Sequence, residues 1–280
     1  MSFTADIADY PEGIVLAVDK PYRWTSADVI RKIKYAAIRH FGKKNLKVGH
    51  AGTLDPLATG VLLVCIGNAC KQAQQLQDHD KEYIARIRFG ATTPSYDLEK
   101  EVDRRFPYEH ITEEAVRTAL PAFLGEQEQV APLFSAKSVD GVRAYELARK
   151  LYRAGQTEAI DAAALETLHR NRIVISRLEL LDFQAEGAPA GAEAPQSAAS
   201  SASSRIHVAD TSGLGLPEAT IRIACSKGTY IRAFARDLGE ALGSGAHLAG
   251  LIRSRSGEYS VDQALSVEGA LALLQNSCYF

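Results

Sequence analysis

At 280 residues, 46% hydrophobic and 24% charged, the chain has the composition of a globular protein able to bury one large core or two modest ones. Its net charge of −2 argues against a generally basic nucleic-acid binder. No window approaches eighteen uncharged apolar residues and the N-terminus "MSFTADIADYPEG" lacks a signal-peptide pattern, so no membrane-spanning helix is expected and the cytoplasm is the expected location.

In chain order, "GIVLAVDKP" predicts a strand leaving through a proline. "TSADVIRKIKYAAIRH" predicts a helix with Thr25 or Ser26 as N-cap, Asp28 in its first turn, and Val29, Ile30, Ile33 and Ala37 on one face. Lys20 to His50 carries nine Lys/Arg against one acid, Asp28, a local imbalance suited to phosphate attraction that a solvated helix face explains equally well. "GHAGTLDPLATG" follows. Pro56 biases Asp55 toward an extended conformation, which places the carboxylate on a shaped turn at a strand entrance. "GVLLVCIG" is then a buried strand. "KEYIARIRFG" alternates, with Tyr83, Ala85, Ile87 and Phe89 on one side and Arg86 and Arg88 on a basic face.

Thr112 to Leu124 and Val142 to Tyr152 predict helices, the first ended by Pro121. "RNRIVISRLELLDF" and "ATIRIACSKG" return to strand patterns. "TYIRAFARDLGEALG" predicts an amphipathic helix that aligns Ile231, Phe234, Leu238 and Leu242, with Gly243 as its stop. The absence of a regular βαβ period favours an α+β fold with a mixed or largely antiparallel sheet. Ala185 to Ser204 is Ala, Ser, Gly and Pro without a large apolar side chain, and is expected to be a flexible insertion. Four cysteines are scattered without metal-ligand spacing, so no metal is expected.

Alone, the Asp55 loop can be a tight structural connection, a phosphate cradle or the seat of a catalytic carboxylate. The cradle is disfavoured because neither G-x-x-x-x-G-K-[ST] nor G-x-G-x-x-G is present. Six ordered segments bear on the choice: "DKPYRWTS", "VGHAGTLDPLATGVL", "KEYIARIRFGATTPSYD", "APLFSAKSVDGVRAYELARK", "CSKGTYIRAFARDLGEALG" and "HLAGLIRSRSGEYS". Together they resemble the pseudouridine synthases of the bacterial TruB type, which modify the T-loop uridine of transfer RNA, over a core of about residues 13–260.

The resemblance implies a single catalytic domain of the pseudouridine synthase fold, without the C-terminal PUA module, that needs no cofactor. Its expected partner is the T-arm of tRNA. Neither a membrane nor an obligate protein partner is expected, and the chain is expected to be a monomer. Asp55 matches the catalytic aspartate, Tyr83 the tyrosine that stacks on the flipped base, and Arg232 the arginine that pairs with the aspartate. Tyr230 and Leu251 match residues lining the uracil pocket, and His50 the histidine that helps extrude the nucleotide. Lys20 belongs with the RNA-contacting residues, and the charge block adds Lys43, Lys44 and Lys47. The chain departs from the family pattern at Arg23, Ser95 and Lys100, where glycine, threonine and glycine are expected. Two other classes remain: an RNA-binding or folding helper that keeps the scaffold, and a glycosidase, which lacks a convincing second acid.

Overall fold

The computed structural model describes residues 3–135, 138–139, 142–167, 170–186 and 206–275. Most of the insertion expected over Ala185 to Ser204 lies outside the described residues.

In chain order the elements are β1 (Ile14–Lys20), α1 (Ser26–His40), β2 (Val48–Ala51), β3 (Ala58–Ile66), α2 (Ala73–Asp78), β4 (Lys81–Phe89), β5 (Ala91–Thr92) and β6 (Arg104–Arg105). Next come α3 (Glu113–Ala119), β7 (Gly125–Gln129), β8 (Ser138–Val139), β9 (Val142–Arg143), α4 (Ala144–Arg153), α5 (Glu158–Thr167) and β10 (Asn171–Gln184). The chain closes with β11 (Glu218–Cys225), α6 (Ile231–Ala241), β12 (Ala246–Ser256), β13 (Tyr259–Ser260) and α7 (Val267–Leu273). They form two compact units, residues 3–83 with 252–275 and residues 84–186 with 206–251.

In the first unit β3 is central. All nine of its residues are buried, as a strand covered on both faces requires. It pairs antiparallel with β1, from Ile14 opposite Ile66 to Lys20 opposite Gly60, and with β2, from Val48 opposite Ile66 to Ala51 opposite Leu63. Val61, Leu63 and Cys65 build a core with Ala51, Ala69 and Leu76. Helix α1 starts where the sequence places it. Thr25 caps it through a reciprocal capping box with Asp28, and Val29, Ile33, Ala36 and Ala37 turn inward.

In the second unit β11 pairs antiparallel with β10, which pairs with β7. Val130, Ala131 and Leu133 pack with Ala144 and Ala148 of α4 and with Ile160 and Ala164 of α5. Helices α2, α5 and α7 were not expected from sequence, and neither were strands such as β2, β7 and β12. The helix expected over Thr112 to Leu124 is α3 followed by a 3-10 turn containing Pro121, and the one expected from Val142 begins at Ala144.

The basic face expected on β4 is overturned. Arg88 is 1% exposed, and Glu218 of β11 accepts from Arg86 Nε at 2.6 Å and from Arg88 Nη2 at 2.7 Å. A carboxylate on the neighbouring strand pairs with both cations, one oxygen to each, because the guanidinium of Arg88 could not be buried there without a partner. Sequence alternation shows the face but not the partner across it.

Candidate functional site

Asp55 sits half-buried between the end of β2 and the start of β3, and Ala58 N–H donates to its carbonyl at 3.1 Å, closing a turn at the strand entrance. The backbone on both sides of it is clamped. Ser26, the first residue of α1, donates from Oγ to the Leu54 carbonyl at 3.1 Å and accepts from Leu54 N–H at 2.9 Å. On the other side the Pro56 carbonyl accepts from Arg23 N–H at 3.0 Å and from Lys20 Nζ at 3.2 Å. Arg253 of β12, 2% exposed, donates to the Gly52 carbonyl at 3.1 Å and to the Val61 carbonyl at 2.7 Å. The Ser26 contacts and the Arg253–Val61 contact are buried and those of Lys20 with Pro56 and Arg253 with Gly52 partly so, which holds the loop in one geometry rather than leaving it to solvent.

Two glycine-type positions shape this region. Gly60 has φ +98°, and a Cβ there would lie 2.3 Å from the Arg253 carbonyl, so the close approach of β3 and β12 requires glycine. Arg23 has φ +62°, the left-handed region. This is the position where the resembled family carries glycine, so the arginine holds the glycine conformation at a cost of about 1–2 kcal/mol.

Lys20 was expected to face RNA. Instead it is fully buried, and its ammonium donates to the carbonyls of Pro21, Trp24 and Pro56 at 3.1, 2.6 and 3.2 Å. Burial lowers its pKa to about 7, against the pull of Asp55, which favours the charged form. Its place is beneath the Asp55 loop. His50 on β2 is half-buried, and burial, helped by Arg253, lowers its pKa and favours the neutral imidazole. Its Nδ1 is buried without a hydrogen-bond partner. Tyr83, on β4, is 9% exposed. Lys43, Lys44 and Lys47 are exposed, in the stretch between α1 and β2. Lys47 accepts from Gly67 N–H, which puts it at the end of β3 away from Asp55.

The second unit holds Tyr230, Arg232 and Leu251. Tyr230 is the N-cap residue of α6. Its backbone exchanges two hydrogen bonds with the buried Gln129 amide, from Tyr230 N–H to Oε1 at 2.8 Å and from Nε2 to the Tyr230 carbonyl at 3.1 Å. Arg232 is 6% exposed. It donates to the carbonyls of Ser95 at 3.0 Å and Phe134 at 2.9 Å, and its Nε lies 3.8 Å from Asp97 Oδ2. Asp97 is itself fixed, accepting from Ser95 Oγ at 2.6 Å and Glu99 N–H at 2.9 Å. Serine in place of threonine therefore still serves this turn. Lys100, in place of glycine, lies over the rings of Phe134 at 5.6 Å and Tyr152 at 4.9 Å. Leu251 is half-buried on β12.

The first unit thus brings Lys20, His50 and Arg253 to the Asp55 loop, while Arg232 and Tyr230 are positioned by the second. Sequence reasoning missed Ser26, Arg253 and Asp97 as positioning residues. Each lies inside a quoted motif, but only the tertiary contact shows what it holds.

Residues 39–189 match the family model described as TruB family pseudouridylate synthase, N-terminal domain. A protein of Phocaeicola vulgatus named tRNA pseudouridine synthase B is 48% identical over 260 residues, covering 93% of this chain and 92% of the relative. One of Flavobacterium johnsoniae with the same name is 41% identical, covering 92% and 95%. Among solved structures, a Cbf5–Nop10–Gar1 complex includes a chain similar in fold, with a TM-score of 0.60 at 21% identity. That alignment covers 97% of this chain and 58% of that longer one.

Proposed function

Since this chain belongs to the TruB family of pseudouridine synthases, we infer that it isomerises uridine to pseudouridine in transfer RNA, and we propose that the T-loop uridine is its target. The observation that carries the site is the Asp55 loop, with its backbone clamped at Gly52, Leu54 and Pro56 by Arg253, Ser26 and Lys20. A turn fixed on both sides of one half-buried carboxylate is what a reacting group needs and a simple connection does not.

The reaction breaks the C1′–N1 bond, turns the uracil and joins C1′ to C5, and the C5 proton leaves as N1 gains one. No atom is gained or lost. In our reading Asp55 acts on the ribose or base while Arg232 supplies a counter-charge for it. Tyr83 stacks on the base and Tyr230 and Leu251 line its pocket. His50, neutral and with a free buried Nδ1, helps hold the nucleotide extruded from its stack. Lys20 acts through the loop it supports, and Lys43, Lys44 and Lys47 attract phosphates. We read the protein as a cytoplasmic monomer without an obligate protein partner or cofactor.

Incubating the purified protein with a tRNA transcript and mapping pseudouridine at single-nucleotide resolution tests the reading. A single new pseudouridine in the T-loop is expected. Modification elsewhere in the tRNA removes the proposed target, and none at all removes the activity.

A further inference from the structure

We propose that the groove between α1 and α7 is a second RNA-binding surface, which takes the phosphate backbone of the substrate outside its T-arm. This rests on the isomerase reading above. The groove measures about 830 Å³ and lies wholly within the first unit. Trp24 and Leu274 form its buried apolar floor, and Arg31, Lys32, Tyr35 and Arg39 of α1 form its exposed rim.

The charge balance selects the occupant. Three rim cations face one acid, Asp28, which is already engaged: it accepts from Thr25 in the capping box and from Arg31 Nη1 at 2.9 Å. A surface with this surplus beside an apolar floor is complementary to a polyanion that also offers flat rings. That is the character of an RNA strand. Tyr35 is 71% exposed, the most exposed large hydrophobic residue among those described, and stands between the cations as a stacking platform would. Lys32 Nζ lies 5.8 Å from the centre of the Trp24 ring, which orients a cation over the groove floor.

The geometry also says which part of the RNA is involved. Ser26 at the start of α1 holds Leu54, one residue from Asp55. A helix rises 1.5 Å per residue, so Arg39 stands about 20 Å along the axis from that clamp. On the isomerase reading the reacting nucleotide lies at the Asp55 end, so phosphates at the Arg39 end lie beyond the modified loop, and the stem-loop comparison below decides between the T-stem and RNA outside the T-arm.

The test compares affinities for a full tRNA transcript and for an isolated T-arm stem-loop, by fluorescence anisotropy across a salt series. The triple variant Arg31→Gln, Tyr35→Ala, Arg39→Gln is expected to bind the full tRNA about tenfold more weakly, with a salt slope reduced by about 1 to 2, while stem-loop affinity falls less than about threefold. The conservative triple Arg31→Lys, Tyr35→Phe, Arg39→Lys keeps charge and ring and should bind the full tRNA as the parent does, which separates the groove's role from a loss of folding. Unchanged tRNA affinity in the first variant overturns the proposal and leaves the groove to a protein surface. Equal losses on both RNAs overturn the assignment to RNA outside the T-arm, and failure of the conservative triple overturns the role of charge and ring. Pseudouridine formation by the parent protein is measured separately, so the isomerase reading can fail without the groove and the groove without it.

Discussion

Ser26 and Leu54, twenty-eight positions apart, share a closed pair of hydrogen bonds: the serine hydroxyl accepts from the leucine N–H at 2.9 Å and donates to its carbonyl at 3.1 Å. One side chain thus satisfies both backbone groups of the residue before Asp55 and ties the loop to the first turn of α1. Because Thr25 fills the capping role, the Ser26 hydroxyl is free for this task.

Ser26→Ala leaves both Leu54 groups without that partner, in a place where Ser26 is 3% and Leu54 4% exposed. The expected cost is about 1–3 kcal/mol of stability, measured by denaturant unfolding. Single-turnover pseudouridine formation should fall by about tenfold or more, since the carboxylate loses half of its fixed approach. A variant that is destabilised yet turns over at the parental rate would make the clamp structural only.

Arg23 bears on the backbone at the other side of the loop. Its left-handed φ of +62° costs about 1–2 kcal/mol for an L-residue, and replacement by glycine returns about 0.5–1 kcal/mol of that to unfolded-chain entropy. Arg23→Gly is therefore expected to raise stability by up to about 1 kcal/mol. Arg23→Ala, which keeps the strained φ, should not. Thermal melts of the two variants decide it, and equal stability of both would show that the strain is relieved elsewhere.

Much of this was legible in the sequence, and the limit has a physical form. Patterns that live within one element were readable: the alternation of β4, the capping of α1, and the turn that Pro56 imposes beside Asp55. Relations between elements were not. Arg86 and Arg88 look solvated until Glu218, 132 and 130 residues away, is placed opposite them. Lys20 looks like a phosphate ligand until three backbone carbonyls close around it. Helix α7 escaped because a seven-residue helix offers too few turns for its period to stand out.

Lys20 makes stability depend on pH. Its folded pKa is lowered by burial to about 7 from 10.5, so between those values the unfolded chain holds a proton that the folded chain releases. Stability therefore rises with pH through that window, by at most about 1.4 kcal/mol per pH unit, and is insensitive to this group below it, where both states are protonated. Lys20→Met should flatten the rise, as read by urea unfolding at intervals from about pH 7 to about pH 10. Parallel profiles for parent and variant would mean that the three carbonyls keep the ammonium charged throughout.

These clamps surround Asp55, the carboxylate we propose as the reacting group. Asparagine there keeps the size of the side chain and one carbonyl oxygen, and the backbone contacts to Gly52, Leu54 and Pro56 do not involve the carboxylate. Asp55→Asn is therefore expected to fold with near-parental stability and to bind T-arm RNA within a few-fold of the parent. An amide can neither attack as a nucleophile nor accept a proton at neutral pH, so pseudouridine formation should fall by more than roughly 10³-fold. Arg232→Ala should lose rate less completely, because in the proposed reading it supplies a counter-charge rather than reacts. Binding must be measured beside single-turnover chemistry with excess enzyme, since a loss of affinity alone could imitate a loss of rate at low RNA concentration. An Asp55→Asn protein that binds RNA and retains even a tenth of the parental rate would take the carboxylate out of the reaction and return its clamped loop to a purely structural role.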